Sequence, residues 1–207
     1  VLYRKQARFK LITTGKISQK NLLFEEQHLE RLRKASRYFA FPFDAEDLKQ
    51  KIEEECQSCD DNQDYRLRIS LSKSGEIELS RQVLKPLSSS FCQAKLCLQG
   101  ADLNQSFTYF KTTYRPHLSL GKQEIIYHNE RGELLETSIG NLVLKIAGKL
   151  YTPPIRLGIL PGIYRQHLLE TGQLEEKVLT FADIDQAEAI YGCNAVRGLY
   201  ELILEEK

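Results

Sequence analysis

The sequence predicts an α+β fold in two lobes. Three observations carry this. The N-terminal part holds two stretches of helical periodicity, the period then changes to the twofold alternation of strands, and beyond residue 111 short alternating runs separated by turn residues dominate. We place an N-terminal α+β lobe over residues 1–110 and a β-rich C-terminal lobe over residues 111–207, with Lys111 at the junction. Clefts between lobes are favoured ligand sites.

The first helix is read from FEEQHLERLRKASRYFAFPFD, residues 24–44. Leu29, Leu32 and Phe39 recur at helical spacing, with acidic residues early and basic ones late, as the helix dipole favours. Pro42 ends it. Asp44 is a good N-cap for a second helix in which Leu48, Ile52 and Cys56 fall at i, i+4 and i+8. Tyr65, Leu67, Ile69 and Leu71 then alternate, SKSG turns the chain, and Ile77 and Leu79 alternate again, which describes a β-hairpin. AKLCLQ, from Ala94, is a further strand. After Lys111, EIIYH, NLVLKI and LYTPP are short strands divided by the turns NERG and AGK. One helix interrupts them, IYRQHLLE, with Pro161 near its start and Gly172 just beyond its end. VLTF, a short helical DIDQAEAI, the turn CNAVRG and a strand LYELIL follow.

Charge and cysteine content narrow the partners. With 29 Lys and Arg against 28 Asp and Glu in 207 residues, the net charge of +1 exerts no overall pull on nucleic acid or an anionic membrane, so any anion must be bound locally. Five scattered cysteines are not a disulfide framework and point to a reducing cytoplasm. The one CxxC, Cys56 and Cys59, has neither a second CxxC nor a nearby His, and its expected role is structural rather than metal-binding or redox. No apolar run reaches membrane-spanning length and VLYRKQARFK lacks a signal-peptide core, so a soluble, cytoplasmic protein is expected.

Several residues stand out chemically. In YFKTTYRPHL, Lys111 sits among aromatic neighbours and two threonines, with Arg115 four positions on. A nucleophilic lysine must be desolvated or placed near other cations, and Arg115 supplies one, although a lysine among aromatics is ordinarily a surface residue. Arg31 lies between Leu29 and Leu32, at the margin of the apolar face of the first helix, where a guanidinium can grip a phosphate. Glu136 interrupts apolar residues in GELLETSIGNLVL and precedes Thr137, Ser138 and Asn141; it either faces a polar pocket or is an exposed strand-end carboxylate. GILPGIYR enters a helix N-terminus and CNAVRG makes a tight turn, and both can present N–H groups to a phosphate.

Taken in order, HLERL, KTTYR, ERGELLETSIGNLVL, LYTPPIRLGILPGIYRQHLLE and IYGCNAVRGL resemble the class IV aminotransferase family, the fold-type IV pyridoxal-phosphate enzymes, over residues 20–205. Within it the chain is most similar to the 4-amino-4-deoxychorismate lyase members, because of Arg115 and the ending N-A-V-R-G-L. The resemblance implies an α+β, two-lobed enzyme with a small N-terminal lobe and a larger β-barrel-like C-terminal lobe, and with pyridoxal 5'-phosphate carried by Lys111, which also shuttles the proton. It implies Glu136 as the carboxylate on the pyridine nitrogen and Arg31 as the phosphate-binding arginine. Ile163 and Tyr164 would add backbone amides to the phosphate, and Asn194 and Ala195 would form the second phosphate turn. Tyr164 stands where the family carries Thr, and Ala195 where Ser or Thr is common. Arg115, Arg156 and Arg197 are candidates for the substrate carboxylates. The implied reaction releases pyruvate from aminodeoxychorismate to leave 4-aminobenzoate for folate biosynthesis. The implied assembly is a homodimer acting on a small molecule, without nucleic acid or membrane. The alternatives are a branched-chain or D-amino acid transaminase on the same scaffold, and a non-catalytic member that binds a ligand or partner.

Overall fold

The computed structural model describes residues 9–88, 92–99, 106–118, 121 and 123–205. The chain divides into two compact units, Val1–Lys85 together with Phe110–Arg115, and Pro86–Tyr109 together with Pro116–Lys207.

The first unit runs β1 (Leu11–Ser18), β2 (Asn21–Leu22), α1 (Glu25–Phe39), α2 (Ala45–Gln57), β3 (Tyr65–Leu71) and β4 (Ile77–Val83). Its strands form one antiparallel sheet in the order β2-β1-β3-β4. The expected hairpin is β3–β4, with Leu71 opposite Ile77. Asp44 caps α2 as its side chain predicts, accepting the N–H groups of Glu46 and Asp47 at 3.0 and 3.1 Å. Leu29 and Leu32 of α1, Leu48, Ile52 and Cys56 of α2, and Leu67, Ile69 and Leu71 of β3 share one core. Each such aliphatic side chain contributes roughly 1.5–3 kcal/mol by leaving water. β1 escapes a pattern search because its buried face alternates Leu11, Thr13, Gly15 and Ile17, so two of four inward positions are not strongly apolar.

Residues 110–115 complete this unit. Ile12 N–H donates to Lys111 O and Thr113 N–H to Lys10 O, both at 2.9 Å, and Leu11 bridges Thr112. These bonds lie on the edge of β1 opposite β3, beyond the end that β2 covers.

The second unit contains β5 (Gln93–Leu98), the one-turn α3 (Ser106–Tyr109), β6 (Glu124–His128), β7 (Leu134–Thr137), β8 (Asn141–Ile146) and β9 (Lys149–Thr152). It continues with α4 (Ile163–Glu170), β10 (Glu175–Glu176), α5 (Phe181–Gln186), β11 (Ala189–Asn194) and β12 (Gly198–Leu204). The sheet order β8-β11-β12-β5-β6-β7 is closed by β7 pairing with β8, giving a six-stranded barrel to which β9 and β10 add outside β8. Closure leaves the ring without an open edge. Ala94, Ile126, Leu134, Leu142, Leu144 and Leu202 pack together, whereas Val143, Leu168 and Cys193 form a separate layer that seats α4. The α+β class read from the sequence and the barrel-like second lobe implied by the resemblance are the observed architecture.

One expected element is corrected. The helix read over DIDQAEAI begins earlier and ends sooner, as α5, with Thr180 and Asp183 forming its capping box. Ala189 and Ile190 belong instead to β11, opposite Lys145 and Leu144, and Ile190 packs against the barrel cluster. That packing outweighs the mild helix preference of the alanines. Among the described residues no helix is long and apolar enough to cross a membrane.

Candidate active site

The residues singled out by sequence fall into two sets, one in each unit. In the first unit, His28 and Arg31 lie three apart on α1 and so share a face. His28 is buried, with Nδ1 2.6 Å from Thr13 Oγ1. Its Nε2 lies against Gly15, where an added Cβ would come within 2.5 Å of it, so only glycine lets the ring approach β1 this closely. Burial, and then the charges of Arg31 and Lys111, push the His28 pKa down to about 3, which keeps the ring neutral. Burial, and then the charge of Arg115, lower Arg31 to about 10. Arg31, Lys111 and Arg115 are all half-buried. Arg31 and Lys111 thus both act on a neutral imidazole, and Arg115 acts on Arg31. No local pattern singles out His28, whose hydrogen-bond partner Thr13 lies on β1.

In the second unit, Glu136 is buried near the end of β7, directly opposite Asn141 at the start of β8. Both reach Leu160. The Glu136 Oε2 accepts the Leu160 N–H at 3.4 Å, and Asn141 Nδ2 donates to Leu160 O at 2.8 Å. Leu160 leads through Pro161 and Gly162 into α4, so the hairpin end fixes the approach to that helix. Gly162 is the N-cap and supplies no side-chain cap; a Cβ there would fall 1.9 Å from Asn141 Oδ1. Ile163 and Tyr164 form the first turn of α4, the positive end of its dipole.

The second predicted turn is shaped by Asn194, whose Oδ1 accepts the N–H groups of Val196 and Arg197 at 2.9 Å. Ala195 and Arg197 are half-buried there, and burial holds Arg197 below its usual pKa. Gly198 follows at φ 67°, and a Cβ on it would lie 3.4 Å from the Tyr164 hydroxyl. Tyr164, where the family carries Thr, therefore covers this turn. Arg156 is exposed on the turn before α4.

Sequence reasoning also passed over Arg165. Its side chain is wholly buried, donating to Pro153 O at 2.9 Å and pairing with the Glu176 carboxylate. Burial pushes the neighbouring Cys193 thiol up to about 12 despite the Arg165 charge. Among the described residues no group of His, Cys, Asp or Glu is arranged to hold a metal ion, and Cys56 and Cys59 are buried free thiols.

In the second unit, a helix start that only glycine can enter and a buried carboxylate clasping the preceding loop suit a phosphorylated, nitrogen-bearing group, and in the first unit the cations beside α1 suit an anion. The fold is that of the fold-type IV enzymes. The chain belongs to the amino-transferase class IV family, whose model matches residues 10–202, and is an enzyme of that kind. The aminodeoxychorismate lyase of Saccharomyces cerevisiae is 25% identical over 251 aligned positions, covering 88% of this chain and 67% of that protein. A crystal structure from Mesorhizobium loti, assigned as an amino-acid aminotransferase, has a TM-score of 0.82 at 27% identity, covering 96% of this chain and 100% of that one. A hypothetical aminotransferase from Mycobacterium tuberculosis in its PLP-bound form has a TM-score of 0.78 at 17% identity, over 95% of this chain and 81% of that one, a likeness of fold alone.

Proposed function

We propose that this chain is a pyridoxal-phosphate lyase that eliminates pyruvate from 4-amino-4-deoxychorismate and leaves 4-aminobenzoate. The observation that carries the reading is Arg115, which adds a positive charge to the field of Arg31. A phosphate occupies one cation, and a substrate with two carboxylates calls for more. The yeast lyase among the relatives supports the same reaction.

The residues present fit pyridoxal 5'-phosphate. Arg31 would bind the phosphate, joined by the backbone amides of Ile163 and Tyr164 and by the Asn194–Ala195 turn. Glu136, buried and therefore little screened, would hold a proton on the ring nitrogen. When bound, the cofactor supplies an electron sink for the carbon that bears the substrate amine. Lys111 Nζ would anchor the cofactor, yield that place to the substrate amine, and take the proton from the adjacent carbon. Loss of that proton and of the C–O bond to the enolpyruvyl group leaves an aromatic ring, which drives the release, and the departing enolpyruvate takes up a proton at its methylene carbon to become pyruvate. Arg115 and Arg197 would orient the carboxylates. We further propose a cytoplasmic homodimer; five free thiols fit a reducing compartment.

The test is product analysis with purified protein and pyridoxal phosphate. Equal amounts of pyruvate and 4-aminobenzoate from aminodeoxychorismate are expected. Amino transfer from an amino acid to an oxoacid, without 4-aminobenzoate, would instead establish the transaminase reading, which the full-length likeness to the M. loti protein favours. Protein that shows no visible cofactor band after pyridoxal phosphate is added would point to a non-catalytic member.

A further inference from the structure

The β7–β8 hairpin carries the two residues that clasp Leu160, and its turn is tied down by the first residues of β6. Glu124, fully buried at the start of β6, accepts the Ile139 N–H on Oε1 at 3.1 Å. Beside it, Ile125 N–H donates to Ser138 Oγ and Ser138 N–H donates to Ile125 O, both at 3.0 Å. Thr137 closes the turn. Its N–H reaches Gly140 O at 2.9 Å, and Gly140 N–H returns to Thr137 Oγ1 at 3.0 Å. One residue outward on either side stand Glu136 and Asn141.

A carboxylate is a costly choice for holding a turn inside a barrel of Leu and Ile. Burial raises the Glu124 pKa, while the Thr137 side chain and the backbone of Ile139 and Ser138 pull it back. The turn has no slack on its other side. A Cβ on Gly140 would meet Cys193 O at 2.6 Å and the Tyr200 hydroxyl at 2.9 Å, so the turn is pressed between β6 and the β11–β12 pair.

We propose that Glu124 is a positioning residue for Glu136: by fixing the Thr137–Gly140 turn, it sets the direction in which the Glu136 carboxylate meets Leu160 and the start of α4. It touches neither cofactor nor substrate in this role. The inference rests on the reading of Glu136 as the partner of the cofactor ring, but its mechanical half, from Glu124 to Leu160, holds without cofactor and is tested without it.

Amide hydrogen exchange resolved to single residues, on the cofactor-free protein, compares wild type with Glu124→Ala and Glu124→Gln. In Glu124→Ala the Ile139 amide loses its acceptor, and the proposal requires the Leu160 amide to exchange roughly tenfold faster as well. Glu124→Gln, which keeps an oxygen in the same place, should restore protection at both. Unchanged exchange at Leu160, no rescue by Gln, or equal loss across Leu142 and Leu144 overturns the proposal, the last because it marks a merely structural residue. Should Glu124→Ala fail to fold, Glu124→Asp withdraws the oxygen while keeping the charge. With pyridoxal phosphate bound, the visible band followed against pH should shift in Glu124→Ala as it does in Glu136→Ala, and the double variant should go no further than Glu136→Ala alone. Additive shifts also overturn the proposal. A wild-type protein that binds no pyridoxal phosphate sinks the reading of the site, and the exchange measurement then decides the relation between Glu124 and Leu160.

Discussion

Glu136 and Asn141 face each other across the end of the β7–β8 hairpin, and each holds one polar backbone group of Leu160. A buried loop must find partners for its N–H and C=O groups, and here one register position supplies both. The loop that enters α4 is thus placed by the barrel rather than by its own sequence.

Gly162 is the weak point of that arrangement. A methyl at this position meets Asn141 Oδ1 at 1.9 Å, so Gly162→Ala should cost about 1–3 kcal/mol in urea unfolding. Because the collision is with one side chain, the penalty should shrink in an Asn141→Ala background. An equal penalty in both backgrounds would show that the clash is relieved elsewhere.

Lys111 contributes its carbonyl to the sheet, through Ile12 N–H, independently of its side chain. Lys111→Ala should therefore keep this strand pairing while turnover falls by about 10²–10⁴-fold. Borohydride treatment followed by peptide mass analysis should label wild type at this lysine and leave the variant unlabelled. Labelling of the same peptide in Lys111→Ala would falsify the assignment.

His28 gives the first unit a pH dependence of known sign. Its folded pKa of about 3 lies below the ordinary imidazole value of 6.5, so the unfolded chain takes up the proton first. The associated stability is intact above pH 6.5 and is lost as pH falls toward 3, by up to about 1.4 kcal/mol per pH unit. In His28→Gln that loss is absent, so the stability gap between variant and wild type should narrow from pH 7 to pH 5. A constant gap would mean that His28 takes up its proton as readily in the folded chain as in the unfolded one.

Arg165 is wholly buried while its partner Glu176 is exposed on 44% of its side chain. Glu176→Ala leaves the guanidinium with Pro153 O as its remaining hydrogen-bonded acceptor and should cost roughly 1–3 kcal/mol. Replacing both partners by apolar residues, Arg165→Met with Glu176→Leu, should recover most of it. If the double variant is the least stable in thermal unfolding, the guanidinium is held by something other than this pair.

Those charges also show where sequence reading ends. α1 and α2 were legible because Leu29, Leu32, Leu48 and Ile52 mark a stripe and Asp44 marks a start. β1 was not, since Thr13 and Gly15 occupy inward positions for the sake of His28. The candidate site was visible as residue types in order, yet its working environment is made by distant partners. The burial of Glu136 depends on strand pairing and on Leu160, and the neutrality of His28 on its burial against β1 and then on Arg31 and Lys111. Arg165 reads as one more solvated charge on a helix until Pro153 and Glu176 are placed around it.

The grouping of Phe110–Arg115 with the first unit sets an order of assembly. A ribosome that has delivered residue 85 has delivered every helix and named strand of that unit, but not the strip that bonds Lys10 and Ile12. Until Arg115 emerges, that stretch of β1 keeps an open, adhesive border. A fragment ending at residue 85 should accordingly associate with itself, and a synthetic peptide spanning residues 110–115 is its natural blocker.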